Sequence, residues 1–215
     1  MRHAGTQIIE TERLILRRLT PEDAEMMYQN WASDPEVTRW LRWEPHKSPA
    51  ETHELLAAWA LLYPNGDYYE WGIVEKTTGQ VFGTIGIFTS SSAEPERDPW
   101  PGFDHTNGVW EVGYCIGRKW WNQEFTTEAL KAVVEYWFKN TDSNWLACAH
   151  ALANPASGRG HAVRCGGGAD PGNVTGAALQ HRHRVLCRGL QPDDGFGCGS
   201  GLTLCKTILF LVPKA

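Results

Sequence analysis

Apolar and polar positions fall into blocks whose period changes along the chain. "ERLILRRL", Glu12 to Leu19, reads as a strand with mixed alternation. "TPEDAEMMYQNWAS" follows at once as a helix, with Thr20 as cap, Pro21 at the first helical position and Asp23 in the first turn. "SPAETHELLAAWALLY" opens a second helix. Ser48 and Glu51 are spaced as a capping box, and Leu55, Leu56, Trp59 and Leu62 share one face. "YYEWGIVEK" and "QVFGTIGIF" are strand patterns separated by "TTG", a hairpin signal. "VWEVGYCIG" is a fourth strand. Thr126 to Lys139 forms a third helix, whose broad apolar face is Ala129, Leu130, Val133, Val134, Trp137 and Phe138. "WLACAHA" is a fifth strand, and "NPASGR" begins a turn or short helix. The order β-α-α-β-β-β-α-β-(α) predicts an α/β chain of the α+β kind, with a mixed sheet carrying helices on its faces. The segment from Ser90 to Asn107 is a long Ser/Pro/Asp/Gly loop, of a length that is usually functional or disordered.

The chain has 215 residues, enough for one domain with a core of its own. Its net charge of −5 argues against general nucleic-acid binding, which requires a basic face. No apolar run approaches about 20 residues, so no membrane span is expected. The N-terminal "MRHAGTQIIETERL" lacks the apolar region of a signal peptide. The six cysteines show no CxxC spacing, and a cytoplasmic protein with reduced thiols is expected.

Composition divides the chain in two. All eleven tryptophans lie between Trp31 and Trp145. Residues 1–157 hold 13 basic and 22 acidic side chains; residues 158–215 hold 7 and 3, with 12 of the 22 glycines, 4 of the 6 cysteines and no Trp or Glu. We therefore expect a domain over 1–157 and an atypical Gly/Cys/His-rich tail over 158–215. The histidines and cysteines of the tail match no zinc-finger spacing, and no metal is expected.

The chemically informative stretch is "IGRKWWNQEFTTEA". A strand that runs into a helix leaves the first turn's N–H groups unpaired, and these suit a phosphate. Thr126 and Thr127 add hydroxyls there, and Arg118 and Lys119 add positive charge. An ordinary polar strand–helix connection has the same spacing.

Taken in order, "TERLILRRLTPEDAE", "VFGTIGI", "WEVGYCIGRKWWNQEFTTEAL" and "ALANPASGR" resemble the GNAT superfamily of N-acetyltransferases, closest to its RimJ/RimL-like branch. The resemblance covers about residues 8 to 159 and implies a sheet splayed between its fourth and fifth strands, with acetyl-CoA in the cleft. It further implies that the backbone of Cys115, Ile116 and Gly117 pairs with the pantetheine arm. Trp121, Asn122, Gln123, Glu124, Phe125 and Thr126, with Thr127, would wrap the pyrophosphate. Asn154 would bond to the pantetheine, Ser157 would lie near the sulfur, and Glu111 would take the proton of the amine acceptor. Residue by residue, plainer roles stay open: Glu111 as a sheet-face carboxylate, Asn154 as a helix cap, Ser157 as a helix residue.

Two features depart from that family. Glu124 stands where the family places a glycine, which adds a side chain and a like charge beside the phosphates. The tail after Ser157 lacks the expected closing strand pair, as a frameshifted or replaced C-terminus would; only Leu202 to Val212 has strand propensity. The expected activity is acetyl transfer from acetyl-CoA to a primary amine, a protein N-terminus or a small molecule, by a monomer or homodimer. The alternative is a non-catalytic module of the same fold with weakened CoA binding or a partner-binding role.

Overall fold

A computed structural model describes residues 1–41, 43–89, 108–143, 145–151, 163–164, 182–188 and 203–204. After two short strands, β1 (Ile9–Glu10) and β2 (Leu14–Arg17), the chain enters a tight helical turn, Pro21–Asp23, and then α1 (Ala24–Met27). The start is capped as its sequence predicts, with the Asp23 carboxylate accepting from the Thr20 N–H at 2.9 Å. Arg17 holds that carboxylate with two bonds of 2.7 and 2.8 Å. A wide π turn, Tyr28–Ala32, and a short α2 (Pro35–Thr38) follow.

α3 (Pro49–Leu62) begins at Ser48, whose hydroxyl accepts from the Glu51 N–H at 3.3 Å. The Glu51 carboxylate accepts from the Lys47 N–H rather than that of Ser48, so the box closes one residue early. Leu56 is fully buried and Leu55 and Trp59 pack beside it, whereas Leu62, predicted on the same face, is 39% exposed. The helix ends at Leu62, so that residue lies at the frayed edge of the stripe.

β3 (Tyr69–Glu75) and β4 (Val81–Thr89) form the predicted hairpin, with Gly79 at φ +69 in the turn. β5 (Trp110–Ile116), α4 (Phe125–Asn140) and β6 (Trp145–Ala151) follow the predicted spans closely. The main sheet runs β1-β2-β3-β4-β5-β6-β8, where β8 is Arg182–Arg188. All neighbours are antiparallel except β5 and β6, so the sheet is mixed, as expected. β7 (Val163–Arg164) pairs with β9 (Thr203–Leu204).

The sequence offers no recognisable closing strand pair after Ser157, yet β8 runs antiparallel along the whole of β6, from Trp145 against Arg188 to Ala151 against Arg182. A long edge strand presents unpaired N–H and C=O groups to any segment able to extend beside it, and this pairing needs backbone more than side chains. That is why an Arg/His-rich stretch serves without a hydrophobic alternation.

α4 covers one sheet face. Its Ala129, Leu130, Val133 and Trp137 pack on Tyr69, Trp71, Ile73, Ile85 and Val112. Tyr69, Trp110 and Trp137 meet with ring centres 5.3 to 6.0 Å apart, which accounts for part of the tryptophan content as core. The helices before β3 cover part of the other face through Leu19, Met27, Trp31, Leu56, Val74, Val81 and Cys115.

Candidate active site

The parallel strands β5 and β6 share two rungs, Glu111 with Ala147 and Val112 with Cys148. Beyond them β5 continues through Gly113 to Ile116, and β6 through Ala149 to Ala151, without further pairing. The sheet therefore forks at Val112. One strand alternates the direction of its N–H groups, and Gly117 donates to the Phe82 carbonyl of β4 at 2.8 Å. By that alternation the N–H groups of Tyr114 and Ile116 turn to the β6 side, into the fork. Of the three residues expected to line it with backbone, Ile116 therefore faces it, while Cys115 and Gly117 turn their N–H groups to β4.

The local sequence builds the mouth of the fork. Phe82 is skipped in the β3–β4 register, a bulge that leaves its carbonyl for Gly117 and its ring stacked on Trp120 at 5.1 Å. Gly117 passes so close to the π turn that a Cβ there would lie 2.3 Å from the Asn30 carbonyl oxygen, so this position excludes a side chain. A tight turn, Arg118–Trp120, then leads to the loop Trp121 to Glu124. The Trp121 indole N–H donates to the Ile116 carbonyl at 3.0 Å, and the Gln123 amide donates to the Lys119 carbonyl at 2.6 Å.

Glu124 and Asn122 both have left-handed backbones, φ 63 and φ 60. Glu124 is the position where the resembled family has a glycine; Asn122 takes the same conformation, which asparagine tolerates better than most residues. The loop thus keeps a glycine-type path with two side chains attached. Residues 121 to 124 are exposed. The Glu124 side chain does not cap α4; its carboxylate accepts from the Thr127 hydroxyl at 3.0 Å. The N–H groups that open this 16-residue helix accordingly face the loop with no cap from the residue before it.

Arg118 does not lend a loose charge to this loop. It pairs with Asp34 at 2.5 Å, at the start of α2. Arg13, which no sequence motif marks, has a closer role. Its guanidinium donates to the Gln123 carbonyl at 3.1 Å, sits 4.4 Å from the centre of the Phe125 ring and pairs with Glu128 at 2.6 Å. Glu128 also accepts from the Thr11 hydroxyl and the Arg13 N–H. Burial pushes the Glu128 carboxyl up, but these hydrogen bonds and the Arg13 charge outweigh it and hold it below its ordinary value. The clamp joins residues 115 apart in the chain, so no local spacing announces it.

Glu111 is buried, 3% exposed. It stands opposite Phe88, on the sheet face away from α4, since Trp110 and Val112 beside it belong to the core under α4. Asn154, Ser157 and the loop from Ser90 to Asn107 lie outside the described residues. No cluster of His, Cys, Asp or Glu able to hold a metal occurs among the described residues, and no helix there is long and apolar enough to cross a membrane.

The "Acetyltransferase (GNAT) domain" family matches residues 13–166 of this chain. The chain belongs to the GNAT acetyltransferases. It is 31% identical over 152 residues to the uncharacterized N-acetyltransferase YoaA of Bacillus subtilis strain 168, covering 71% of this chain and 78% of YoaA. Among solved structures, a Vibrio cholerae protein provisionally described as a ribosomal-protein-serine acetyltransferase superposes with a TM-score of 0.53 at 25% identity, over 67% of this chain and 74% of its own. The ribosomal L7/L12 alpha-N-protein acetyltransferase RimL shares the fold, with a TM-score of 0.56 at 16% identity over 85% and 94% of the two chains. GNAT enzymes use acetyl-CoA as donor and act on amines, which makes this chain an N-acetyltransferase by family.

Proposed function

We propose that the chain transfers acetyl from acetyl-CoA to a primary amine, with a protein N-terminus as the favoured acceptor. The observation that carries this is the two-rung pairing of β5 and β6 directly ahead of the start of α4, which the Glu124 side chain does not cap. In this reading the pyrophosphate rests on the loop Trp121 to Thr127 and the first N–H groups of α4, where the helix dipole favours an anion. The pantetheine arm lies along β5 and takes the backbone donor of Ile116 on the fork side. A neighbouring strand N–H on the fork side supports the oxyanion of the tetrahedral intermediate. Glu111 accepts a proton from the incoming ammonium, which must be neutral to attack. Asn154 is assigned to the pantetheine and Ser157 to the leaving sulfur. The descriptions of the Vibrio cholerae neighbour and of RimL support a ribosomal protein as the source of the acceptor amine.

A second reading has its own observation. The carboxylate of Glu124 stands at the opening of the phosphate-facing helix on a left-handed backbone, which favours a module of the same fold that binds CoA weakly. Calorimetry with CoA, followed by a thiol-release assay with acetyl-CoA and peptides bearing free N-termini, decides. Binding with turnover supports the enzyme, weak binding without turnover supports the module, and absence of binding removes both.

A further inference from the structure

The sheet face that carries Glu111 carries a second carboxyl. Glu70 on β3 is the cross-strand partner of Gly86 on β4, which in turn opposes Gly113 on β5. This row across three strands therefore has one side chain and two bare backbones. Glu70 uses the space. A Cβ at Gly86 would lie 2.3 Å from its Oε2 and 3.1 Å from its Cδ, so the carboxyl rests over Gly86, displaced toward β5. Gly113 is the first residue of β5 beyond the rungs shared with β6, and Glu111 is on one of those rungs. Both carboxyls thus lie on the β3–β5 side of the fork, on the face away from α4, with the Gly86–Gly113 row leading from Glu70 to β5 beside Glu111.

The surroundings of Glu70 are polar but carry little opposing charge. Thr84, on the same strand as Gly86, is its hydrogen-bond partner. Tyr63 at the end of α3, Tyr68 ahead of β3 and Cys115 on β5 all feel its charge. Burial pushes each of these three groups up, which keeps them neutral around pH 7. Arg18 stacks on Tyr63 at 5.4 Å. Residue Glu70 as a whole is half-buried, whereas burial dominates the titration of its carboxyl and pushes it up to about 8 against the smaller effect of Thr84. A base for an ammonium works best with an ionisation near the working pH.

Resting on the acetyltransferase reading, we propose that Glu70 is a second catalytic carboxyl, which receives the acceptor ammonium over the Gly86–Gly113 strip and takes its first proton, a step this assigns to Glu70 in place of Glu111. The neutral amine then attacks the thioester carbonyl carbon. The new N–C bond forms, the C–S bond breaks, and the sulfur leaves with the electron pair. The remaining excess proton of the nitrogen passes to that sulfur, giving amide and thiol, and Glu70 later returns its proton to water. The cation favours the ionised carboxyl, so acceptor binding itself drives the proton off Glu70.

The test compares wild type, Glu70→Gln and Gly86→Ala. Thiol release from acetyl-CoA is followed from about pH 6 to about pH 9 with spermidine and a tripeptide amine, spanning the titration of a perturbed carboxyl. Calorimetry measures CoA affinity for each protein. Expected is a wild-type kcat/KM that rises through pH about 8, where Glu70 ionises. Glu70→Gln should lose kcat by about a hundredfold and lose that inflection with CoA affinity unchanged. Gly86→Ala keeps the carboxyl but displaces it, and should show part of the same loss; if it does not fold, the Glu70→Gln profile decides alone. A Glu70→Gln enzyme that binds CoA and keeps both kcat and the inflection overturns the inference and leaves the acetyltransferase reading standing. A wild-type chain that binds no CoA and releases no thiol with either amine overturns both.

Discussion

Replacing Glu124 with glycine acts on two quantities that the structure separates. The first is backbone strain. A non-glycine residue at φ 63 costs about 1 kcal/mol relative to the right-handed region. The loop already follows this path before any ligand binds, so that cost belongs to folding and does not enter CoA affinity. Glycine offsets the relief by about 0.5–1 kcal/mol of extra chain entropy when unfolded. It also removes the exposed Thr127–Glu124 hydrogen bond, so stability should change by less than about 1 kcal/mol.

The second quantity is charge. A carboxylate about 6 Å from a phosphate charge is repelled by about 0.7 kcal/mol in water and about 3 kcal/mol at an effective dielectric of about 20. Glu124 is exposed, which places the cost near the lower figure. CoA should therefore bind the Glu124→Gly protein about three- to tenfold more tightly. Glu124→Gln should match it at low salt, because it removes the charge and keeps the side chain. Both gains should shrink as salt screens the exposed pair. Calorimetry at two ionic strengths reads all of this. Equal affinity in all three proteins would refute the placement of the diphosphate on this loop, and a gain with glycine but not glutamine would assign the obstruction to bulk instead of charge.

Other outcomes follow from neighbouring contacts. Arg13→Ala should weaken CoA binding by about tenfold, because the Gln123 carbonyl and Phe125 ring lose their anchor; Arg13→Lys should not restore it, since an ammonium lacks the planar fork. Gly117→Ala should destabilise by about 1–3 kcal/mol in thermal melts, by driving a methyl against the Asn30 carbonyl. Acid should unfold the chain partly through Glu128 and Asp23. Both are pushed up by burial yet held lower by their partners, so their contribution is complete above the unfolded range of about 4 and is lost as pH falls through the folded values. Melts of Asp23→Asn should show lower stability at neutral pH and a shallower decline toward acid.

Most of the framework was legible because it is local. The hairpin around "TTG", the caps at Thr20 and Ser48 and the apolar stripe of α4 each declare themselves within a few residues, and the structure shows all of them. The oddity of Glu124 was legible too, as a charged residue in a glycine position, and its positive φ gives the physical content of that mismatch. Tertiary partners were not legible. Nothing in "TERL" indicates that Arg13 will hold the loop at Gln123, and nothing in "YYEWG" indicates that Glu70 will lie over a glycine of the next strand. Arg118 failed as a loop charge for the same reason, since Asp34 is distant in sequence and adjacent in space. β8 escaped because an edge can recruit backbone with no side-chain pattern to betray it.

Because only Glu111 and Val112 lace β5 to β6, the sheet resembles two leaves on a narrow hinge, with β6 and β8 forming the outer leaf. What resists their opening is less the pair of rungs than the seating of Leu146 and Cys148 in the core beneath α4. A molecule laid between the leaves would act as a missing strand, and amide exchange in β6 should slow when it arrives.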